Sequence, residues 1–196
     1  MSATTWVHDL AAPIAVGAGP LPRPSIGVAW RALASVPDPE IPAVSVIDLG
    51  IVCGVAWRPA TQPTLVVTVT PTYSGCPATE VIMASIREAL GAAGFEHVGV
   101  ETRLSPAWTT DWISAAGKRK LHEFGIAPPD GMRAVSGFAT IDVTGISPLR
   151  RARIAVACPR CGSIATRQVS QFGSTACKAH YRCTECLEPF DYFKPH

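Results

Sequence analysis

The sequence predicts an α+β fold in which a small α/β domain precedes a C-terminal β module. Residues 25–104 show helical and strand periodicities, whereas residues 151–196 hold short β-rich segments and two CxxC pairs. Residues 105–150 are less regular and are interpreted as a connecting segment. Residues 1–24 are rich in Ala, Pro and Gly, which indicates a flexible N-terminal arm.

The α/β domain is predicted to contain helices packed on a three-stranded mixed sheet. A first helix is predicted from apolar residues at helical spacing, namely Ile26, Trp30, Leu33 and Val36. Strands are predicted at residues 51–57, 65–70 and 98–104, with the turn Pro59–Pro63 joining the first two. A helix from about Ala78 to Leu90 precedes the third strand. The apolar residues predicted to lie on one face of this helix are Val81, Ile82, Ile86, Ala89 and Leu90.

The rest of the chain contains weaker structural signals. Asp111 is predicted to cap a short helix through residues 117–121. Strands are predicted at Arg153–Ala157, Ile164–Val169 and Glu188–Phe193. A C-terminal piece of 46 residues with few large aliphatic side chains cannot easily build a stable core, so a bound metal would supply the missing stability.

The two CxxC pairs are the strongest functional signal. They consist of Cys158, Cys161, Cys183 and Cys186, and 21 residues separate the pairs. Tandem pairs that offer four thiolates to one tetrahedral ion are typical of zinc ribbons, with a β-hairpin between the pairs. Zinc is the favoured metal, although a four-thiolate site also accepts iron. The alternative is two disulfides or four free thiols.

Two further residues could contribute to metal binding. Cys177 and His180 precede the second CxxC pair, where either could replace a cysteine ligand or support the site from outside. Both are left out of the primary ligand set. Cys53 lies within a predicted strand and is interpreted as a core residue.

Cys76 is a second candidate functional residue, because it lies between a predicted strand and a predicted helix. Pro77 suits the first helical position, where its missing N–H would have no partner anyway, and Cys76 would then be the N-cap. The positive end of the helix dipole favours a thiolate there. Such a thiolate can bind iron, accept an iron–sulfur cluster or act as a nucleophile. The alternative is a small apolar core cysteine.

Three carboxylates precede this region, namely Asp38, Glu40 and Asp48. Pro39 and Pro42 stiffen the segment that contains Asp38 and Glu40 into an extended loop. The carboxylates either act as caps and turn residues or come close to Cys76 in the fold, and the sequence leaves both open.

Composition narrows the classes of function. The net charge is +2, which does not indicate a polyanion partner, although residues 151–196 hold seven basic and three acidic residues. No apolar run is long enough to cross a bilayer, and the first 20 residues lack the Lys or Arg of a secretory signal. Together with cysteines at metal spacing, these features indicate a reducing cytoplasm. The chain shows no phosphate loop, nucleophile elbow or HExxH motif.

Several segments resemble known families. DPEIPAVSVIDLGIV (Asp38–Val52), with the Cys76-Pro77 helix start, resembles the small α/β domain of SufT-type iron–sulfur assembly proteins. Residues 25–196 as a whole resemble the PaaD family, also called PaaJ, whose members form the D component of bacterial phenylacetyl-CoA epoxidase complexes. The segments that carry this second resemblance are TPTYSGCPA (Thr70–Ala78), SPAWTTDWIS (Ser105–Ser114), the two CxxC pairs and CLEPFDYFK (Cys186–Lys194).

The PaaD resemblance implies a role beside an oxygenase and a reductase subunit, which together epoxidise the ring of the CoA thioester with O2 and NADPH. It implies that the PaaD component assembles or repairs an iron–sulfur or iron centre in those partners and is not an enzyme by itself. The chain shows no loop for NADPH, flavin or CoA, which agrees with this implication.

The resemblance also implies three site residues. Cys76 matches the functional cysteine of the family, Asp48 its DLG aspartate and Thr70 the threonine before the cysteine. A cluster or iron ion would be held transiently at Cys76, either by one chain or between the protomers of a homodimer. Two alternatives are a purely structural docking subunit and a ribbon protein that binds nucleic acid.

Overall fold

A computed structural model of the protein describes residues 23–59, 61–129 and 156–195. The α+β prediction is confirmed, because three α-helices, a three-stranded mixed sheet and a four-stranded sheet occur within these ranges. Most of the predicted N-terminal arm and of the predicted strand Arg153–Ala157 lies outside the described residues. No helix in the described ranges is long and apolar enough to span a membrane.

The first sheet has the strand order β1-β2-β3. Strand β1 (Val52–Arg58) pairs antiparallel with β2 (Thr64–Val69), and β2 pairs parallel with β3 (Val98–Thr102). Helix α2 (Ala78–Ala92) makes the crossover between the parallel strands, whereas α1 (Ile26–Ala34) precedes the sheet. The predicted strands and the predicted α2 are confirmed with ends that differ by two residues or fewer, because turn residues and strong apolar periods delimit them.

Only part of the apolar face of each helix is buried. In α1 the buried residues are Ala29 and Leu33, whereas Ile26 and Trp30 are each 37% exposed. Trp30 follows Ala29 by 100° around the helix, and Ile26 lies in the first turn, where side chains point back beyond the core. In α2, Val81 is 52% exposed, because it precedes the buried Ile82 by the same angle. The spacing of Ile26, Trp30 and Leu33 predicted α1 correctly, whereas Val81 lies outside the buried part of the face predicted for α2.

The connecting segment forms a 3-10 turn (Thr110–Trp112) and helix α3 (Ala115–Phe124). The N-cap of α3 is Ser114, whose Oγ accepts the Gly117 N–H at 2.9 Å, so the prediction of Asp111 as the cap was wrong. Asp111 lies inside the 3-10 turn, and its own N–H is bonded to Thr109.

The second sheet has the order β4-β7-β6-β5. Strands β5 (Thr166–Ser170) and β7 (Pro189–Phe193) were predicted within two residues, but β4 (Ile126–Ala127) and β6 (Lys178–Cys183) were missed. Strand β5 pairs antiparallel with β6, which forms the expected hairpin between the CxxC pairs. Strand β4 pairs parallel with β7, so the connecting segment contributes one strand to this sheet.

The two sheets share a hydrophobic core. Phe193 and Cys177 from the C-terminal module are buried in the same cluster as the first sheet and its helices, and the rings of Phe193 and Trp108 lie 6.0 Å apart. The C-terminal module also has a smaller cluster of its own, which consists of Ala127, Val156, Cys158, Ala179, Tyr181, Cys183, Phe190 and Tyr192. This packing brings the start of α2 close to the loop that precedes β6. The domain boundaries at residues 24, 104 and 150 stay predictions.

Candidate functional site

The four CxxC cysteines converge at one end of the second sheet. Cys158 Sγ lies 3.7 Å from Cys186 Sγ, and Cys161 Sγ lies 3.6 Å from Cys183 Sγ. All four sulfur atoms lie within 4.8 Å of one another. Zn–S bonds of about 2.3 Å place the corners of a tetrahedron about 3.8 Å apart, so the four sulfurs fit a tetrahedral thiolate site. The predicted ligand set is therefore brought together as one metal site.

Two similar turns present these cysteines. In the first, the Cys158 carbonyl accepts the Gly162 N–H at 2.8 Å, and Gly162 has a φ of +76°. In the second, Leu187 follows Cys186 with a φ of +65°. A positive φ is uncommon for a residue with a side chain, so the second turn is strained. The metal site therefore contains a backbone conformation that metal–thiolate bonds would help to hold.

The electrostatics of the cluster favour a bound cation. Backbone N–H groups of Cys186 and Glu185 help to lower the pKa of the Cys183 thiol to about 7. The N–H of Glu188 lowers the pKa of the Cys186 thiol, but burial and the three neighbouring cysteines raise it to about 12. The opposite pKa shifts of these two thiols reflect how closely the four cysteines approach one another, as metal ligands do.

Cys177 and His180 are not members of this cluster. His180 Nδ1 lies 3.3 Å from Asp191 Oδ1, and Lys178 Nζ lies 3.6 Å from Asp191 Oδ2. The Cys177 thiol lies 3.0 Å from Thr175 Oγ1. The choice to leave both residues out of the primary ligand set agrees with these positions.

Cys76 lies half-buried at the start of α2. The N-cap of α2 is Pro77 rather than Cys76, so the N-cap prediction was wrong by one residue. Pro77 already has helical dihedral angles, with φ of −68° and ψ of −22°, and the Cys76 carbonyl accepts the Thr79 N–H at 3.2 Å. Cys76 therefore remains next to the first turn of the helix.

Cys76 lines a small cavity between the two sheets, with a volume of about 20 Å³. This volume is large enough to hold a water molecule. The other lining residues are Asp38, Glu40, Ile41, Leu49, Ile51, Val69, Pro71, Thr72, Thr79, Ile82, Cys177 and Phe193. The cavity thus joins the candidate thiol of the α/β domain to a second thiol from the C-terminal module.

Asp38 and Glu40 line the same cavity, and Asp38 is also a turn residue, so it fits both alternatives that the sequence left open. Asp38 Oδ1 accepts the N–H groups of Glu40 and Ile41 at 2.9 and 2.8 Å, and burial raises the pKa of Asp38. Burial and the neighbouring Asp38 raise the pKa of Glu40. Burial and the neighbouring Cys76 and Glu40 raise the pKa of Tyr73. Burial therefore makes both carboxyl groups at this cavity harder to ionise than exposed ones.

Asp48 and Thr70 do not line this cavity. Asp48 Oδ2 accepts Lys120 Nζ at 2.6 Å and the Ser45 N–H at 2.9 Å. Although burial raises the pKa of Asp48, these bonds leave it below its usual value. The Thr70 hydroxyl lies 3.1 Å from Cys53 Sγ. The role of Asp48 and Thr70 in cofactor binding stays a prediction.

The position of Cys177 in the same cavity as Cys76 was not predicted from the sequence. Cys177 was considered only as a neighbour of the CxxC pairs. The two cysteines are far apart along the chain. They line one cavity because the C-terminal module packs against the first sheet and its helices. No local spacing rule could have found this pair.

These features define a class of protein in which an iron–sulfur assembly domain is joined to a four-cysteine β ribbon. Residues 28–102 match the family model described as an iron–sulfur cluster assembly protein, and residues 145–194 match the PaaD zinc beta ribbon domain. The chain is 44% identical over 176 residues to the putative D component of the 1,2-phenylacetyl-CoA epoxidase of Escherichia coli K12, covering 87% of this chain and 93% of that protein. The chain therefore belongs to the PaaD family of phenylacetyl-CoA epoxidase subunits.

The N-terminal domain has relatives of its own. It is 34% identical over 92 residues to an "Fe-S protein maturation auxiliary factor" of Porphyromonas gingivalis, covering 46% of this chain and 85% of that protein. A crystal structure of a domain of unknown function from Bacillus anthracis matches 48% of this chain and 89% of its own, with 26% identity and a TM-score of 0.44.

Proposed function

We propose that this protein is an accessory subunit of a cytoplasmic phenylacetyl-CoA epoxidase and delivers iron or an iron–sulfur cluster to its oxygenase or reductase subunit. The observation that carries the proposal is the half-buried Cys76 thiol in a cavity that also contains two carboxylates. The name of the Escherichia coli relative supports the role as an epoxidase subunit. The name of the Porphyromonas gingivalis relative supports the role in iron–sulfur maturation.

The cavity residues can carry out transfer by ligand exchange without any change in oxidation state. The Cys76 thiol loses its proton to water and its sulfur binds the iron of the cargo. A ligand of the partner subunit then forms a bond to that iron, the Cys76–iron bond breaks, and the thiolate takes up a proton. Because Cys76 is only half-buried, it is accessible to a partner.

The ribbon cluster has a structural role in this proposal and binds zinc. Zn²⁺ has no redox chemistry and no preferred geometry of its own, so it suits four thiolates that only hold two turns together. Elemental analysis of protein purified from cells grown with both metals should give one zinc per chain. A red protein with one iron per chain at this cluster would contradict the assignment to zinc.

The function is tested by producing the oxygenase and reductase subunits with the wild-type chain, with Cys76→Ser, or without it. We expect the iron content of one partner, and its epoxidase activity, to be restored by the wild type only. Cys53→Ser is the matched control, since its hydroxyl can keep the hydrogen bond to Thr70 and Cys53 does not line the cavity. Fully metallated partners in the absence of this protein would refute the proposal.

A purely structural docking role is the second candidate. It is favoured by large apolar side chains of the ribbon that are more than half exposed, which are Ile164, Val169, Phe172 and Leu187. In that case the protein co-purifies with the oxygenase, and Cys76→Ser supports full activity. The same set of preparations therefore separates the two functions.

A further inference from the structure

We infer that one end of the ribbon docks onto a partner subunit of the epoxidase, at a place where that subunit presents a carboxylate beside an apolar pocket. The docking surface consists of Arg167, Arg182 and Leu187. This docking rests on the proposed function, which supplies the partner, and it assigns the contact to the ribbon rather than to the region of Cys76.

Leu187 is presented to solvent on a strained backbone. It follows the metal ligand Cys186 with a φ of +65°, and it is 59% exposed. The equivalent position after the first CxxC pair is Gly162, whose φ of +76° is not strained because it has no Cβ. Packing within the described residues does not offset the strain at Leu187, since most of its side chain is exposed. A strained, exposed leucine is therefore better explained by a contact with another molecule.

Two arginines lie next to each other on one face of the second sheet. Arg167 of β5 and Arg182 of β6 are directly opposite in the antiparallel register, and both are exposed. Among the described residues neither forms an ion pair, and Asp191 of the adjacent β7 is already paired with Lys178 and His180. Like charges that face each other across two strands destabilise a sheet. A carboxylate from a partner would relieve this repulsion, so the charge of the surface is complementary to an acidic side chain.

Arg182 connects the arginine pair to Leu187. Its Nε–H donates a hydrogen bond to the Leu187 carbonyl at 3.1 Å, which holds the guanidinium beside the strained residue. The two terminal nitrogen atoms of Arg182 have no hydrogen-bond partner within the part of the chain that the structure describes. A guanidinium held in this way can bind a carboxylate through two parallel N–H bonds with little further loss of side-chain freedom. The charged and the apolar contact are therefore positioned together before the partner binds.

The chemistry of this surface favours a protein over a nucleic acid. Exposed apolar side chains accompany the arginines, since Val169 belongs to β5 and Ile164 precedes that strand. Glu185 and Glu188 are exposed beside Leu187 in the sequence, and they would repel a row of phosphates. A protein segment with one carboxylate and one apolar side chain can reach the arginine pair and Leu187 without that repulsion.

The test measures binding of the full, zinc-loaded chain to the purified oxygenase subunit and to the purified reductase subunit by isothermal titration calorimetry. We expect the wild type to bind one of them, and Leu187→Gly and Arg167→Glu each to weaken that binding by at least about 10-fold. Ile26→Ala is the control and should bind like the wild type. It shortens an exposed aliphatic side chain at the start of α1, where Pro24 lies close to Gly94, beyond the end of α2.

A second measurement separates docking from loss of structure. Leu187→Gly places at a φ of +65° the residue that adopts it without strain. Arg167→Glu replaces a like-charged pair by an oppositely charged one. Thermal unfolding of either zinc-loaded variant should therefore give a midpoint equal to or above that of the wild type. Binding should weaken although the ribbon is no less stable.

Unchanged affinity of Leu187→Gly overturns the inference, and so does a wild type that binds neither subunit. A wild-type dimer that Leu187→Gly converts to a monomer would assign the surface to a second copy of this chain. DNA binding that Arg167→Glu abolishes would assign it to a nucleic acid, and each of these two results also overturns the inference. The proposed function is judged separately, by the metal content of the epoxidase subunits. Docking as expected with no gain of iron in the partner refutes that function and leaves the docking surface in place.

Discussion

Single residues of the DLG motif, which consists of Asp48, Leu49 and Gly50, join the first sheet to the connecting segment. The Asp48 carbonyl accepts the Ser114 N–H at 2.9 Å, and the Leu49 carbonyl accepts Trp108 Nε1–H at 2.9 Å. The Asp48 carboxylate is paired with Lys120 of α3. In this structure the polar groups of the motif therefore make architectural contacts, whereas the Leu49 side of the motif lines the cavity that contains Cys76.

Gly50, the last residue of the motif, is expected to tolerate no side chain. It has a φ of +66°, and a Cβ there would lie 2.5 Å from the carbonyl oxygen of Trp112. Strain and backbone overlap should make Gly50→Ala less stable by about 2–4 kcal/mol, measured by urea unfolding of the metal-loaded protein. Gly54→Ala is the control, because a Cβ at Gly54 meets no atom within 4 Å. Equal stability of the two variants would contradict this account.

Among the elements, α3 allows a direct test of its observed start. Because Ser114 Oγ accepts the Gly117 N–H, Ser114→Ala should lower the free energy of unfolding by about 1 kcal/mol. Asp111→Ala should change it by less than about 0.5 kcal/mol, since Asp111 does not cap the helix. Urea unfolding of both variants at neutral pH makes the comparison. A larger loss for Asp111→Ala would show that the cap predicted from the sequence is the correct one.

The elements that the sequence predicted well are those defined by local signals. Helix α2 has a strong apolar period and begins after Pro77, so its start was predicted to within one residue. Strand β6 was missed because it begins with the buried Lys178, and this burial depends on its ion pair with Asp191. The cysteine ligands followed from their spacing alone. The placement of Cys76 and Cys177 in one cavity depends on packing between distant parts of the chain, which local sequence patterns do not indicate.

In the whole molecule, the metal ribbon and the thiol cavity are mechanically connected. Strand β7 ends at Phe193, which lines the cavity, and it pairs with β6, which ends at the metal ligand Cys183. The carbonyl of Cys177, immediately before β6, is bonded to Lys194. A metal that orders the ribbon therefore also positions one wall of the cavity, although the ion and the cavity are separate sites.

This connection predicts a selective effect of metal removal. A chelator should remove hydrogen-exchange protection from β6 and β7, because four thiols without an ion cannot hold the two turns together. Strands β1 and β2 should stay protected, since most of their core comes from α1 and α2. The same treatment should expose Cys177 to alkylation, which mass spectrometry detects, and added zinc should reverse both changes. Full protection of β6 in protein shown to be metal-free would refute the structural role of the ribbon metal.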